Sequence, residues 1–521
     1  MPSNNMYLAV PIGTATGRVT SMKRLMARKS LYLSLVTMLL VPAVHAQTAQ
    51  NTQSPQNGGP NANWADTYTQ VQSEPQQNIG KGTVDPSDMP MGARPASKQP
   101  ALPRSKFVQK LLDEGVNIRI SEIDQYAKNT TGGVKQGSHN VGQFYIGADF
   151  DLGTIFGWSG ASFHFTAYRD YGLSLNALVT GTYNKQQYIY KNAFPRWHLG
   201  LFSYEQKAFD DRLDVQVGRL GSTTYFGHLA INCQFVSANT CGEPRMLVSE
   251  TGLSLLPSAT WGGNVNFKMT QNTYVDVGAF EVNPDVQPSN GLDWEIKHST
   301  GYTLPIEFGW AQNDPKTVQY PFELKGGFYQ STAPLTDINL NTKGEPLGTD
   351  GGTAATDHHI RDGFYVMGDK VIWRPDPDSP RSFNVFGGWV QQMEDQEIMH
   401  QQIYTGFVMT GPFAFRPYDT FGLNISEFEM TPEEQAYLAE VRKKEGGTGV
   451  NALHQTDYDL TYSIHLIKGL ELMPSLQYIV HPDNSSLPKT SVLPKNLFVY
   501  AIGLRMDIGV LLGFRPAAAN D

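Results

Sequence analysis

Residues 498–514 read FVYAIGLRMDIGVLLGF, and apolar residues alternate with other positions along the whole stretch. The apolar positions are Phe498, Tyr500, Ile502, Leu504, Met506, Ile508, Val510, Leu512 and Phe514, and the positions between them include Ala501, Gly503, Arg505, Asp507, Gly509 and Gly513. A period of two residues is typical of a β-strand whose two faces meet different surroundings. We predict one strand over 498–514, with an apolar face and a face of mostly small or charged residues.

The length of this strand points to a membrane. Strands in soluble sheets average roughly five or six residues, whereas a tilted strand that crosses a bilayer uses about nine to eleven. Because lipid offers no partner for backbone N–H and C=O groups, such a strand must belong to a closed barrel, with its apolar row outside and its polar row in the lumen. The alternative is a strand of a soluble sandwich, whose outward face would normally be the charged one.

The N-terminus has the layout of a secretory signal peptide. Lys23, Arg24, Arg28 and Lys29 precede an apolar stretch over 31–44, and Val44-His45-Ala46 forms a small-x-small cleavage site. We predict a signal peptide over 1–46; the alternative, a membrane anchor over 31–46, is short for a spanning helix. Removing 1–46 leaves 35 basic residues against 49 acidic ones, a net charge of −14, which argues against nucleic acid as a partner.

The chain has two cysteines, Cys233 and Cys241, in a stretch rich in turn-forming residues. In an exported protein they predict a disulfide that closes a short loop. Two free thiols or half of a metal site are the alternatives.

Two segments precede the strands. Residues 47–104 are rich in Gln, Asn, Pro, Ser and Gly with few aliphatic residues, which predicts a disordered linker. Residues 105–115 have an amphipathic pattern, which predicts a short helix.

From Val116 onward, alternating segments recur to the end of the chain. We predict sixteen strands, at 116–127, 140–150, 160–169, 196–206, 212–219, 261–269, 273–282, 302–310, 320–330, 363–374, 382–390, 400–411, 415–428, 454–466, 471–480 and 498–514. With the first strand running outward, the shortest links fall on the periplasmic side and the long ones outside, as in bacterial barrels with an even strand count. The fold class is therefore an all-β, transmembrane antiparallel barrel over 116–514, followed by a tail over 515–521.

One external loop carries the signature of a helix. Thr431-Pro432-Glu433-Glu434 is a capping box with proline at the first helical position, and Lys443, Lys444 and Gly446 are typical of a helix end. We expect a helix over one mouth of the barrel.

Several ordered segments resemble the carbohydrate-selective porin family of Gram-negative outer membranes. They are FYIGADFDLGTIFGWSGASFHF (144–165), RLDVQVGRL (212–220), ATWGGNVNF (259–267), GFYVMGDKVIWR (363–374) and MPSLQYIVHPDN (473–484). The resemblance implies a sixteen-stranded outer-membrane barrel that passes glucose-like monosaccharides and polyols by diffusion, with small sugars and outer-membrane lipid as its partners. Two features depart from it, namely the long N-terminal extension and the residues that follow Phe514. The sequence leaves the oligomeric state open, because the contacts of a homotrimer would lie on the lipid-facing rows that every such barrel has.

A sugar channel needs carboxylate acceptors, arginine donors and aromatic faces along its lumen. Strand parity and the longest loop, 220–260, supply the candidates for substrate binding: Arg119, Asp149, His164, Tyr168, Arg212, Asp214, Gln216, Glu243, Arg245, Arg505 and Asp507, with Arg219 at the rim. By analogy with other sixteen-stranded porins, we expect the 220–260 loop to fold inward and narrow the channel.

Competing functions are a general or organic-acid porin, an outer-membrane receptor, and an outer-membrane hydrolase. The sequence contains no HExxH or GxSxG motif, and the metal-like group Asp357-His358-His359 with Asp362 lies in a predicted external loop. We expect neither catalysis nor a cofactor.

Overall fold

The structure, a computed structural model, describes residues 105–176, 180–189, 197–241, 243–254, 258–284, 290–312, 318–376, 379–393 and 397–514. The predicted signal peptide, the linker over 47–104 and the tail over 515–521 lie outside these residues. Sixteen antiparallel strands form a closed barrel, as the sequence predicted, and the first strand pairs with the last.

The barrel strands carry the numbers β1–β9 and β12–β18 in chain order. Their bounds are β1 Val116–Gly133, β2 Gly137–Asp151, β3 Ala161–Gly172, β4 Trp197–Ala208, β5 Leu213–Leu220, β6 Thr260–Lys268, β7 Thr273–Val282, β8 Gly301–Gln312, β9 Phe322–Ser331, β12 Arg361–Trp373, β13 Ser382–Gln392, β14 Met399–Thr410, β15 Thr420–Met430, β16 His454–Ile467, β17 Leu470–Val480 and β18 Lys495–Asp507. A separate hairpin, β10 (Leu335–Asn341) and β11 (Ala354–Asp357), lies in an external loop.

The last strand confirms the predicted alternation but ends early. Val499 and Ala501 point inward and are buried, whereas Tyr500 and Ile502 lie on the outward face. The strand stops at Asp507, whose carboxylate accepts a hydrogen bond from the Val510 backbone N–H, so that the predicted strand end over 508–514 is wrong. A helical turn, α6 (Ile508–Leu511), takes its place because this side-chain cap satisfies a backbone donor at the start of the turn.

The predicted strand at 415–428 also begins later, at Thr420. Arg416 forms an ion pair with Asp419, and the Asp419 carboxylate accepts hydrogen bonds from the Tyr462 hydroxyl and the His465 backbone N–H. These contacts hold 416–419 in the periplasmic turn instead of the strand.

The segment before the first strand and the segment after the last strand meet on the periplasmic side. Helix α1 (Lys106–Asp113) begins at the N-cap Ser105, whose hydroxyl accepts from the Val108 N–H. Its apolar side chains Val108 and Leu112 pack with Phe514 from the C-terminal segment. The segment that follows the last strand is therefore held beside the helix that precedes the first one.

Short helices mark some of the turns and loops. They are α2 (Leu152–Phe156), α3 (Arg245–Glu250), α4 (Leu347–Asp350) and α5 (Pro432–Lys444). The predicted helix start is confirmed, because the Thr431 hydroxyl accepts from the Glu434 N–H and Pro432 is the first residue of α5. The reciprocal bond of a capping box is replaced, since the Thr431 N–H donates to the Ile398 carbonyl. Leu438 of α5 packs into the apolar cluster inside the barrel. No helix in the described residues is long and apolar enough to cross a membrane.

Candidate functional site

The external loop between β5 and β6 folds into the barrel. This segment, called L3 here, covers 221–259, and almost all of its described residues are buried. Near its start, the Gly227 N–H donates to Glu307 of β8 at 2.8 Å and the Lys325 ammonium of β9 donates to the His228 carbonyl at 2.7 Å. These bonds fix the first part of L3 to one wall.

The middle of L3 reaches the opposite wall. The Ser237 N–H donates to Asp459 of β16 at 3.0 Å, and Arg505 of β18 donates to the Cys233 carbonyl at 3.0 Å. On the return path, the Met246 N–H donates to Gln402 of β14 at 3.0 Å. L3 therefore spans the lumen, and the disulfide between Cys233 and Cys241 is present at its far end.

A second loop, L2 (173–196), also enters the lumen. The Tyr183 N–H donates to both carboxylate oxygens of Asp483, at 2.7 and 3.0 Å, and Gln477 of β17 donates to the Gln186 carbonyl at 2.9 Å. The Ala238 N–H of L3 donates to the Lys185 carbonyl of L2 at 2.9 Å, so that the two loops support each other. The predicted inward folding of the 220–260 loop is found, and L2 adds to it.

Aromatic rings on the inner wall lie flat against glycines of neighbouring strands. Tyr365 faces Gly327, and Tyr404 faces Gly388, each at a directly paired position. A Cβ on either glycine would overlap the ring. These rings pack in one cluster with L3. Phe235 of L3 contacts Phe386 of β13 with ring centroids 5.8 Å apart, and Phe386 in turn contacts Tyr404.

The wall formed by β1–β4 carries a connected set of charges, most of them buried. Arg119 pairs with Asp149 at 2.9 Å, and His164 contacts Asp149 at 2.8 Å and Glu205 at 3.2 Å. Lys207 extends the row by an ion pair with Glu205 at 3.2 Å. The signs of Arg119, Asp149, Glu205 and Lys207 compensate one another, with His164 between the two carboxylates.

Other predicted residues also face inward. Tyr168 lies with its ring 5.5 Å from that of Tyr145, and Gln216 donates to the Ser203 hydroxyl at 2.8 Å. Asp214 is buried on the same face of β5 as Gln216. Their predicted role in substrate binding stays a prediction.

Arg245 belongs to L3, and Arg505 contacts L3 from the wall strand β18. The Arg245 guanidinium lies 4.9 Å from the centroid of the Tyr183 ring and donates to the Tyr183 carbonyl at 3.3 Å. Arg505 contacts L3 at Cys233 and forms an ion pair with Glu471 at 3.6 Å. Both arginines are partly exposed.

Two titratable groups of the loops are shifted by burial. Burial raises the pKa of the Glu243 carboxyl in L3 to about 8, with the Thr223 hydroxyl as its polar side-chain neighbour. Burial, assisted by the charge of Arg245, lowers the pKa of the Lys185 ammonium in L2 to about 7.

Two predicted site residues, Arg212 and Arg219, do not line the lumen. Arg212 is exposed in the β4–β5 turn, where it donates to the Lys268 and Met269 carbonyls and lies over Phe267, an outward residue. For Arg212 the predicted lumen position is wrong, because the turn holds its side chain. Asp507 keeps its predicted place on the inward row, opposite Ser121 of β1, and its carboxylate caps α6.

Arg219 is not at the rim of the lumen either. It follows Val215 and Val217 on the outward row of β5 and lies opposite Phe202 and Trp261. Its guanidinium lies 5.6 Å from the Trp261 ring and 5.8 Å from the ring of Trp294, a residue of the β7–β8 loop. These aromatic rings cover the charge on the outer wall.

Sequence reasoning missed several lumen residues. Glu307 accepts hydrogen bonds from the Tyr274 hydroxyl at 2.5 Å and the Tyr365 hydroxyl at 2.8 Å, besides the bond from Gly227. Its position between Ile306 and Phe308 on a predicted strand was a signal that could have found it. No group of three or more His, Cys, Asp or Glu in the described ranges could hold a metal ion.

Comparisons with known proteins agree with this architecture. Porin B of Pseudomonas aeruginosa is 27% identical over 389 residues, which is 72% of this chain and 84% of that protein. The high-pH structure of OprB from Pseudomonas putida has a TM-score of 0.68 and 23% identity, and the match covers 76% of this chain and 95% of that one. This structural likeness concerns the fold.

The family model described as "Carbohydrate-selective porin, OprB family" matches residues 135–509, which contain nearly all of the barrel. Members of this family are porins, which are channels rather than enzymes, and a porin barrel indicates the outer membrane of a Gram-negative bacterium. The chain belongs to the carbohydrate-selective porin family, OprB.

Proposed function

We propose that this porin passes small neutral carbohydrates, glucose-like monosaccharides and polyols, into the periplasm by passive diffusion. The observation that carries the proposal is the compensated row of Arg119, Asp149, His164, Glu205 and Lys207 on the wall. A pore for ions would gain from groups of one sign, whereas a hydroxyl-rich neutral solute needs donors and acceptors without a strong net field.

Selection would occur where L2 and L3 meet. Arg245 offers a planar donor group, and it is partly exposed beside the ring of Tyr183. Donors suit sugar hydroxyls, and an aromatic face suits the apolar C–H surface of a sugar ring. Binding has to stay weak, because a solute that is held tightly does not leave the channel.

The test is the swelling of liposomes that contain the purified, heat-modifiable protein. Glucose, a disaccharide, an amino acid and a sugar acid close to glucose in size would be compared, with the wild-type chain and with Arg245→Gln. Arg381→Gln is the matched control, because Arg381 also donates to a carbonyl, that of Gly411, and lies over an aromatic ring, Trp373, but in a periplasmic turn.

We expect fast swelling with glucose and slower swelling with the sugar acid. Arg245→Gln should reduce this preference for glucose, and Arg381→Gln should leave it unchanged. Equal rates for all solutes of similar size would replace the proposal with a general porin. Faster entry of the sugar acid would replace it with an organic-acid porin, and no swelling from the folded barrel would exclude a diffusion channel.

A further inference from the structure

The loops L2 and L3 meet at one carboxylate of the barrel wall. Asp457 of β16 is 2% exposed, and one of its oxygens accepts hydrogen bonds from the side-chain amides of Asn184 in L2 and Asn239 in L3, the latter at 3.0 Å. Its other oxygen accepts from the Gln455 amide of the same strand at 3.0 Å. The two loops are therefore tied to each other through a single oxygen atom of the wall.

Each of the two asparagines adjoins a residue of the proposed selection site. Asn184 directly follows Tyr183 in L2. The Asn239 carbonyl accepts from the backbone N–H of Arg245 at 2.9 Å, and the Arg245 guanidinium lies 4.9 Å from the centroid of the Tyr183 ring. Short paths of bonded groups therefore lead from Asp457 to both halves of the Tyr183–Arg245 pair.

Two neighbouring carboxylates each hold the backbone of one loop. Asp459 accepts from the Ser237 N–H of L3, and Asp483 accepts from the Tyr183 N–H of L2. Asp457 differs from both, because its partners come from the two loops. Loss of Asp459 or Asp483 would free one loop from its support, whereas loss of Asp457 would also weaken the connection between the loops.

A carboxylate suits this position because the three side chains that contact it are all donors. Asn184, Asn239 and Gln455 each present an amide N–H, and a carboxylate offers two acceptor oxygens and no donor. An asparagine at 457 would turn an amino group toward one side of this arrangement, and either the Gln455 amide or the two loop amides would lose their acceptor. The remaining bonds would also be weaker, since hydrogen bonds to a charged acceptor are stronger than neutral ones.

We propose that Asp457 is a positioning residue for solute selection. By binding Asn184 and Asn239, it keeps Tyr183 of L2 and Arg245 of L3 at a fixed separation, and that separation decides which solutes pass. The effect on solute preference rests on the proposed sugar channel, whereas the fixed geometry of the two loops does not.

The test makes two measurements on Asp457→Ala and on the wild type. Single-channel conductance in KCl reports the width of the constriction whatever solute is selected, and liposome swelling with glucose and a sugar acid reports the preference. Asp457→Ala should raise the conductance and bring the two swelling rates together. Asp457→Asn, which keeps one acceptor oxygen, should fall between this variant and the wild type.

Asp276→Ala is the matched control. Asp276 is also a buried wall carboxylate that accepts from two asparagines, but these residues, Asn264 and Asn266, belong to the wall strand β6 and not to a loop. The control removes the same kind of hydrogen-bonded group from the wall. It should keep both the conductance and the preference for glucose.

A second variant leaves the barrel wall unchanged and decides the question where Asp457→Ala does not fold. Asn184→Ala with Asn239→Ala should reproduce the effect of Asp457→Ala, and the combination of all three changes should have no further effect, because the same bonds are lost. Wild-type conductance and preference in the Asn184 and Asn239 double variant, or an equal change in Asp276→Ala, would overturn the positioning role. A raised conductance in a channel whose wild type does not prefer glucose would support the fixed loop geometry and overturn the proposed function.

Discussion

The backbone N–H of Gly227 in L3 donates to the carboxylate of Glu307 on β8 at 2.8 Å, across 80 positions of sequence. The same carboxylate accepts from the hydroxyls of Tyr274 and Tyr365. One wall residue therefore holds two aromatic rings and the start of the loop that crosses the lumen.

Glu307→Gln should loosen L3 from this wall. A neutral amide cannot replace a carboxylate that accepts three hydrogen bonds, and the loss of one member of a buried charged group costs about 3 kcal/mol. We expect a lower unfolding temperature and faster swelling of liposomes with a disaccharide. The control is Asp276→Asn, because Asp276 is a buried wall carboxylate bonded to Asn264 and Asn266 instead of a loop. Unchanged size selectivity in the Glu307 variant would contradict this role.

Gly327→Ala should destabilise the barrel, whereas Gly326→Ala should not. A Cβ at Gly327 would overlap the ring of Tyr365, while one at Gly326 has its nearest neighbour at 3.5 Å, an ordinary contact distance. Overpacking of this kind costs roughly 1–3 kcal/mol. Urea unfolding of the two variants, followed by the shift of the folded band on unheated gels, measures the difference. Equal unfolding midpoints would show that the Tyr365 ring accommodates a Cβ at position 327.

Removal of the disulfide should loosen the far end of L3. Cys233→Ser with Cys241→Ser opens a short loop, for which we expect a loss of about 2–3 kcal/mol in the free energy of unfolding. The Cys233 carbonyl accepts a hydrogen bond from Arg505, and this bond should weaken once the disulfide is removed. We therefore also expect trypsin to cleave L3 faster in the double variant. Reductant should reproduce the effect in the wild-type chain and have none in the double variant.

Helix α5 should weaken as the pH rises. Burial raises the pKa of the Glu434 carboxyl to about 8, above the value near 4.5 that it has when unfolded. The folded state therefore holds the proton more tightly, so its stability is greatest below pH 4.5, falls between pH 4.5 and 8, and levels off above that. Hydrogen exchange of α5 amides from pH 5 to 9, corrected for intrinsic rates, should show this loss of protection.

Glu434→Gln should remove most of that pH dependence, because the amide stays neutral at every pH. Glu433→Gln is the control on the same helix turn, since the Glu433 side chain is less buried. A pH profile of the Glu434 variant that matches the wild type would assign the effect to another group.

Much of the predicted fold rests on local patterns in the sequence. The strand period of two residues fixed the number of strands and the inward side of Asp149, His164 and Arg505, because alternation depends only on neighbouring residues. It could not place the end of β18, where the Asp507 side chain competes with the strand by capping α6.

The amino-acid sequence by itself determined a sixteen-stranded barrel, its inward and outward rows, the capped helix α5 and the loop that carries the cysteine pair. Only the tertiary structure decided the contacts of that loop, such as Gly227 with Glu307 and Cys233 with Arg505. It also brought the rings of Trp261 and Trp294 over the Arg219 guanidinium. The physical reason is the distance along the chain over which each kind of interaction acts. Strand alternation is a local property of the chain, whereas a loop across a lumen takes the path on which distant polar and aromatic groups find partners.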